Sequence, residues 1–295
     1  MSTPVAILAP AKINLCLHVT GRRADGYHTL DSLMAFVDLA DRVEAAPAES
    51  GQISLSVDGP FAPALAGLGD DNLVLRAARA LARAQGIGAG ARLRLTKVIP
   101  AAGGLGGGSA DAAAALLALC GLWGLGRPAD LAAIALGLGA DVPVCLSSQT
   151  ARVTGIGEGV APAGPPPPGA VMLVNPGVGL ETRAVFTAFD AKGEDFGTTA
   201  PVPSVIPGDV PAMIRALDAC RNDLTAAACS LQPVVAEVLS AIGEAPGCRL
   251  ARMSGSGATC FGLFDDAGAA ANAAAEIAAR QPGWWTWSGR FTARA

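Results

Sequence analysis

The segment Pro100-Ala101-Ala102-Gly103-Gly104-Leu105-Gly106-Gly107-Gly108-Ser109-Ala110-Asp111 constrains this chain more than any other. Glycine lets backbone N–H groups approach a ligand with no Cβ in the way. The alanine- and leucine-rich run Ser109 to Leu119 predicts a helix directly after it. A helix opening there turns its unpaired N–H groups and positive dipole end into the loop. The combination is an anion cradle suited to a triphosphate. It is not a Walker A loop, because no Gly-Lys-Ser/Thr follows, and the downstream acid of a dinucleotide fingerprint is not evident. The plainer alternative is a flexible turn in a chain with 37 glycines.

Composition narrows the classes. The chain has 295 residues, 51% of them hydrophobic, enough for a large core and two domains. The formal net charge is −4 and the Lys and Arg residues are scattered, so no nucleic-acid surface is expected. Met1 to Pro10 has no basic segment leading into an apolar one, and does not read as a signal peptide. Asp111, Asp130, Asp141 and many glycines interrupt the apolar stretches, so no membrane span is expected and the location reads as cytoplasmic. Seven cysteines, with no CxxC pair, read as reduced thiols. The only histidines are His18 and His28; neither has a cysteine at ligand spacing, and no zinc site is expected.

Val5 to Leu8 is a short apolar run. Ile13, Leu15, Leu17 and Val19 alternate with polar residues in the period of a half-buried strand, with Lys12, Asn14 and His18 on the opposite face. Ile53 to Val57 and Leu93 to Leu95 predict further strands, and Asn72 to Gln85 a helix with Asn72 as cap and Gly86 as stop. Pro128 is read as opening a short helix. Pro165 to Pro168 form a candidate linker, and two domains are expected, residues 1–156 and 157–295. Beyond it, strands are expected at Val171 to Val174, Arg249 to Met253, Cys260 to Phe264 and Trp284 to Phe291. The last may pack back on the first domain. Helices are expected at Arg183 to Phe189, Val234 to Ile242 and Ala267 to Arg280. The class is mixed α and β. The tryptophans Trp284, Trp285 and Trp287 carry no chemistry in this reading.

Three segments in order, Pro10-Ala11-Lys12-Ile13-Asn14-Leu15, the glycine loop, and Met253-Ser254-Gly255-Ser256-Gly257-Ala258-Thr259, resemble the motifs of the galactokinase, homoserine, mevalonate and phosphomevalonate (GHMP) kinase superfamily. The resemblance implies an α+β fold with two domains: an N-terminal ribosomal-protein-S5-like ATP-binding domain and a C-terminal ferredoxin-like α/β domain, with the active site between them. It implies ATP and Mg2+ as cofactors, and a monomer or weak homodimer. Pro100, Gly103, Gly104, Leu105, Gly106, Gly107, Gly108 and Ser109 would bind ATP, with Ser109 also touching the metal. Asn72 and Lys97 match positions near the nucleoside. Lys12, otherwise a solvated surface lysine, would offset charge in the active site. Asp141 lies in Gly139-Ala140-Asp141-Val142-Pro143. Such an acid is a helix cap or a functional group; the resemblance makes it the base that takes the substrate's hydroxyl proton.

The stretch Arg23-Ala24-Asp25-Gly26-Tyr27-His28 is similar to the diphosphocytidyl-methylerythritol kinases within that superfamily, as is Asn222-Asp223-Leu224. Tyr27 is the only tyrosine. Tyr27 and His28 are either a loop anchor or the groups that stack on and pair with a cytosine. The resemblance favours ligand contact and adds Asn14, His18, Thr182 and Phe186 on the substrate side, although a phenylalanine at Phe186 also fits a core position. The rival readings are another small-alcohol kinase, such as a mevalonate or homoserine kinase, and an inactive ATP-binding regulator.

Overall fold

The computed structural model describes residues 3–49, 51–193, 196 and 201–293. The chain forms two compact units interleaved in sequence. One comprises Met1–Ala11, Leu39–Ala101 and Gly106–Ser148; the other comprises Lys12–Asp38, Ala102–Leu105 and Gln149–Ala295. Two long strands, β1 (Val5–Arg22) and β2 (His28–Ala48), contribute residues to both.

In the first unit, β3 (Ile53–Asp58), α1 (Leu73–Ala84), β4 (Gly90–Thr96), α2 (Gly107–Leu122), α3 (Leu131–Leu138) and α4 (Val142–Ser147) follow in order. Strand β4 pairs antiparallel with β2, Val43 opposite Leu95, and parallel with β3, Leu55 opposite Leu93. Asn72 caps α1 as expected: its Oδ1 accepts from the Val74 N–H at 2.9 Å, and Gly86 adopts φ 63° just past the end. Helix α2 is buried nearly all round, and its alanines let α1 and α4 pack closely against it. The helix expected from Pro128 begins later, at Leu131. The Pro128 carbonyl accepts the Leu131 N–H at 3.1 Å, so the proline lies in the turn ahead of the helix.

The second unit continues with β5 (Ala151–Gly155), β6 (Gly159–Pro162), β7 (Ala170–Asn175), α5 (Thr182–Ala191), α6 (Val210–Asp218), α7 (Thr225–Leu231), α8 (Val234–Gly243), β8 (Cys248–Met253), β9 (Cys260–Phe264), α9 (Ala267–Arg280), β10 (Trp285–Gly289) and β11 (Phe291–Thr292). An antiparallel sheet in the order β10-β7-β9-β8 packs against α8 and α9. Strand β11 pairs with Phe36 and Val37 of β2. The proline run joins β6 to β7 inside this unit.

Two expectations need correction. The two runs read at the N-terminus are one strand, and it is buried on both faces from Ala9 to Val19 rather than on one. Lys12 and Asn14 are enclosed among hydrogen-bonding neighbours, described below. The length of β2 was not foreseen. Its run Leu33-Met34-Ala35-Phe36-Val37 does not alternate, as in strands covered on both faces.

Candidate active site

The three segments singled out in the sequence meet in the second unit. The Lys12 N–H donates to the Leu105 carbonyl (2.9 Å), joining the first segment to the glycine loop. The Thr259 N–H donates to the Gly103 carbonyl (3.1 Å) and the Ser254 hydroxyl to the Gly104 carbonyl (2.9 Å), joining the loop to the third. The Asn14 N–H donates to Ser254 Oγ (3.2 Å) and closes the triangle. Glycine is required here: a Cβ on Gly104, whose φ is 76°, would lie 2.4 Å from the Ser254 carbonyl oxygen. A relay then fixes the side chains. Lys12 Nζ donates to Asn14 Oδ1 (2.6 Å), Asn14 Nδ2 to Ser32 Oγ (2.8 Å), and Ser32 Oγ to the Cys16 carbonyl (2.7 Å). Asn222 Nδ2 donates to the carbonyls of Met253 and Gly255, both at 2.8 Å, and holds the third segment's turn. Ser32 had not been singled out in the sequence; its signal is a lone hydroxyl beside the apolar run of β2.

In the first unit the loop becomes helix. Gly106, at φ 63°, is the N-cap residue of α2, and the first-turn N–H groups of Gly107, Gly108 and Ser109 precede any helical acceptor. Beneath this turn Lys97 is enclosed, its ammonium paired with Asp41 and with Asp111 Oδ2 at 2.8 Å. Asp41 also accepts the N–H of Ile99 at 2.9 Å, while Asp111 Oδ1 is buried without a partner among the described residues. Burial pushes the Asp111 carboxyl up, to about 8; Lys97 opposes the rise and Asp41 adds to it. For Lys97 burial acts downward, but the two carboxylates outweigh it and raise the ammonium. Asp141 takes the N-cap position of α4 without its side chain making a cap hydrogen bond, which removes capping as the reason for an acid there. Buried Val142, Val144 and Cys145 seat that helix on α2.

The aromatic groups collect at another place in the second unit. The His28 ring stacks on Phe186 with centroids 4.8 Å apart, and His28 Nε2 lies 2.7 Å from Asp190 Oδ1. Tyr27, by contrast, is 64% exposed at the end of the turn closed by the Arg23 N–H on its carbonyl. Thr182 Oγ1 lies 2.9 Å from Ser256 Oγ, and Phe186 follows one helical turn later on the same side of α5. That helix therefore ties the third segment to the aromatic pair. His18 is not brought to the triangle. It sits six residues beyond Lys12, about 20 Å along the strand, enclosed with Cys16 and Cys220.

Comparison with known proteins gives the family. The model of the GHMP kinases N terminal domain matches residues 72–149, and that of the GHMP kinases C terminal matches residues 205–283. The 4-diphosphocytidyl-2-C-methyl-D-erythritol kinase of Paramagnetospirillum magneticum is 50% identical, covering 96% of this chain and 97% of that protein. The enzyme of that name from Cereibacter sphaeroides is 51% identical, covering 94% and 95%. The chain belongs to the 4-diphosphocytidyl-2-C-methyl-D-erythritol kinase family, within the GHMP kinases. A crystal structure of a 4-(cytidine 5'-diphospho)-2C-methyl-D-erythritol kinase superposes with a TM-score of 0.78 at 38% identity, covering 97% of this chain and 98% of that one. Homoserine kinase from Cytophaga hutchinsonii, at 18% identity and a TM-score of 0.72, shares the fold. The two-domain GHMP kinase architecture read from the motifs is thus the fold found. Among the described residues, no helix is long and apolar enough to cross a membrane.

Proposed function

We infer that the chain transfers the γ-phosphoryl group of ATP to the 2-hydroxyl of 4-diphosphocytidyl-2-C-methyl-D-erythritol, a step of the non-mevalonate isoprenoid route. One observation carries the reading: three motifs far apart in sequence are hydrogen-bonded to one another in a chain about half identical to kinases of that name. Functionally the chain divides at residues 1–156 and 157–295, and the two family models fall on either side of that division.

Phosphoryl transfer asks a protein for positioned phosphates, charge neutralisation and an oriented nucleophile. In this reading the N–H groups of Gly107, Gly108 and Ser109 receive phosphate oxygens, and Pro100, Gly103, Gly104, Leu105 and Gly106 set the loop's path. Asn72 and Lys97 brace the nucleotide side, the first by capping α1 and the second from beneath the start of α2. Asp141 takes the proton from the attacking hydroxyl, and Lys12 offsets the charge that develops. Asn14 and Thr182 meet the polar part of the substrate. Tyr27 stacks on the cytosine from the exposed turn, while His28 and Phe186 form the other wall. Magnesium fits this arrangement through the nucleotide phosphates and water with the Ser109 hydroxyl, since it takes few protein ligands, and Asp111 is committed to Lys97. Bound there, it would neutralise phosphate charge. The reading places the chain in the cytoplasm as a monomer or weak homodimer acting on a small molecule.

The purified chain should be given ATP, magnesium and, in parallel, diphosphocytidyl-methylerythritol, mevalonate, homoserine and galactose. ADP release with the cytidine compound alone is expected; turnover of another alcohol at equal or greater kcat/KM would displace the assignment.

A further inference from the structure

A second group of chemically capable side chains lies on β1, away from the motif triangle. Cys16 and His18 are two residues apart, so both leave the same face of the strand. Cys220, just past α6, joins them: the ligand atoms of Cys16, His18 and Cys220 all lie within 4.8 Å of one another. Their exposures are 0%, 0% and 4%. The Arg221 N–H approaches His18 Nε2 only at 3.4 Å, a weak contact. His18 Nδ1 is buried with no partner among the described residues. A buried orphan nitrogen is costly, and native chains seldom keep one without a reason.

Two sulfurs and an imidazole converging in a closed space are the donor set of a thiophilic divalent cation, zinc above all. We propose that Cys16, His18 and Cys220 form a zinc site. Binding replaces the two thiol protons, which leave to solvent, with two zinc–sulfur bonds. The neutral imidazole coordinates through Nδ1, its ring proton moving to Nε2 at the expense of the long Arg221 contact. A water completes the fourth position.

The site has a structural consequence. It pins residue 220 to β1 where the Leu17 N–H already donates to the Arg221 carbonyl and the Asp223 N–H to the Leu17 carbonyl, each at 2.9 Å. Between them lies Asn222, whose amide holds the turn Met253 to Gly255. Zinc would therefore stiffen the support of the third motif.

The test uses the full, reduced chain freed of metal by a chelator and titrated anaerobically with cobalt(II), then zinc. Expected are a sulfur-to-cobalt charge-transfer band saturating at one equivalent, its loss when zinc displaces cobalt, and a higher melting temperature with zinc. Cys16→Ser and Cys220→Ser should each abolish the band, and Cys248→Ser should keep it. X-ray absorption of the zinc-loaded wild-type chain decides the matter even if a variant fails to fold. A shell of two sulfurs with nitrogen or oxygen supports the site. A sulfur-free shell, no charge-transfer band in the wild type, or a band that survives Cys220→Ser overturns it.

Discussion

Asp141 starts α4, and its carboxylate makes no cap hydrogen bond to that helix. Asp141→Asn is expected to lower kcat by about a hundred- to ten-thousand-fold, the usual cost of a lost general base, with ATP affinity near wild type. Steady-state kinetics with a nucleotide titration reads both, and a variant with undiminished kcat would remove Asp141 from the role. The cytidine end is open to a similar dissection. Tyr27 is exposed while Phe186 is stacked on His28. Tyr27→Ala should therefore change binding without changing stability. A base-stacking contact is worth roughly 1–3 kcal/mol, so KM for the cytidine substrate should rise about ten- to a hundredfold, with KM for ATP unmoved. A rise in KM for ATP instead would place Tyr27 on the nucleotide side.

Elements approach one another at this site backbone to backbone, with the Ser254 hydroxyl bridging them, which leaves little room for substitution. The glycine loop docks closely on the turn Ser254 to Gly257, where the Ser254 hydroxyl also bonds the Gly104 carbonyl: a Cβ at Gly104 would meet the Ser254 carbonyl oxygen at 2.4 Å and that of Gly257 at 2.8 Å. The left-handed φ of 76° adds strain for any L-residue. Gly104→Ala should undock loop from turn, costing about 1–3 kcal/mol of stability and weakening ATP by at least about tenfold, since the loop's shape sets the N–H cradle. Urea unfolding together with nucleotide titration checks the pairing of effects. Wild-type ATP affinity in Gly104→Ala would separate the loop's docking from its function.

At the scale of the whole molecule, each compact unit contains a buried cation at a crossing of elements. In the second, Arg252 donates to the carbonyls of Leu15, Leu217 and Cys220, tying β8 to β1 and to the end of α6. In the first, Lys97 is flanked by Asp41 and Asp111, and the two acids are not equivalent. Asp41 accepts from Lys97 and from backbone N–H groups, whereas Asp111 accepts from Lys97 on one oxygen only. Asp41→Asn should destabilise by about 3–5 kcal/mol, as expected for breaking a buried pair, and Asp111→Asn by much less. The folded Asp111 carboxyl keeps its proton to about pH 8, the unfolded one only to about pH 4. Its contribution to stability is thus complete below about pH 4 and lost as pH rises toward 8. Urea midpoints of the wild type should decline across that window, and those of Asp111→Asn should not; parallel curves for the two would contradict the assignment.

Sequence by itself determined the parts whose information is local. The glycine loop opening on a helix, the Asn72 cap with its Gly86 stop, and the apolar periods of β3, β4, α8 and α9 are set by steric and capping preferences within a few residues. The order of three motifs fixed the family, and with it the fold. What only the tertiary structure decided is what depends on partners distant in sequence. Lys12, Asn14 and Ser32 could be read as polar residues on strands, but their relay exists because β1 is covered on both faces and the chain folds Ser254 against it. Lys97 reads as an ordinary lysine until Asp41 and Asp111 close on it. His28 meets Asp190 from a helix more than a hundred residues away, and Cys220 meets Cys16 and His18 across a still longer separation. Spacing rules see ligands that are neighbours along the chain. Burial makes polar groups find each other across it, because an enclosed donor or acceptor left without a partner costs more than most local preferences can return.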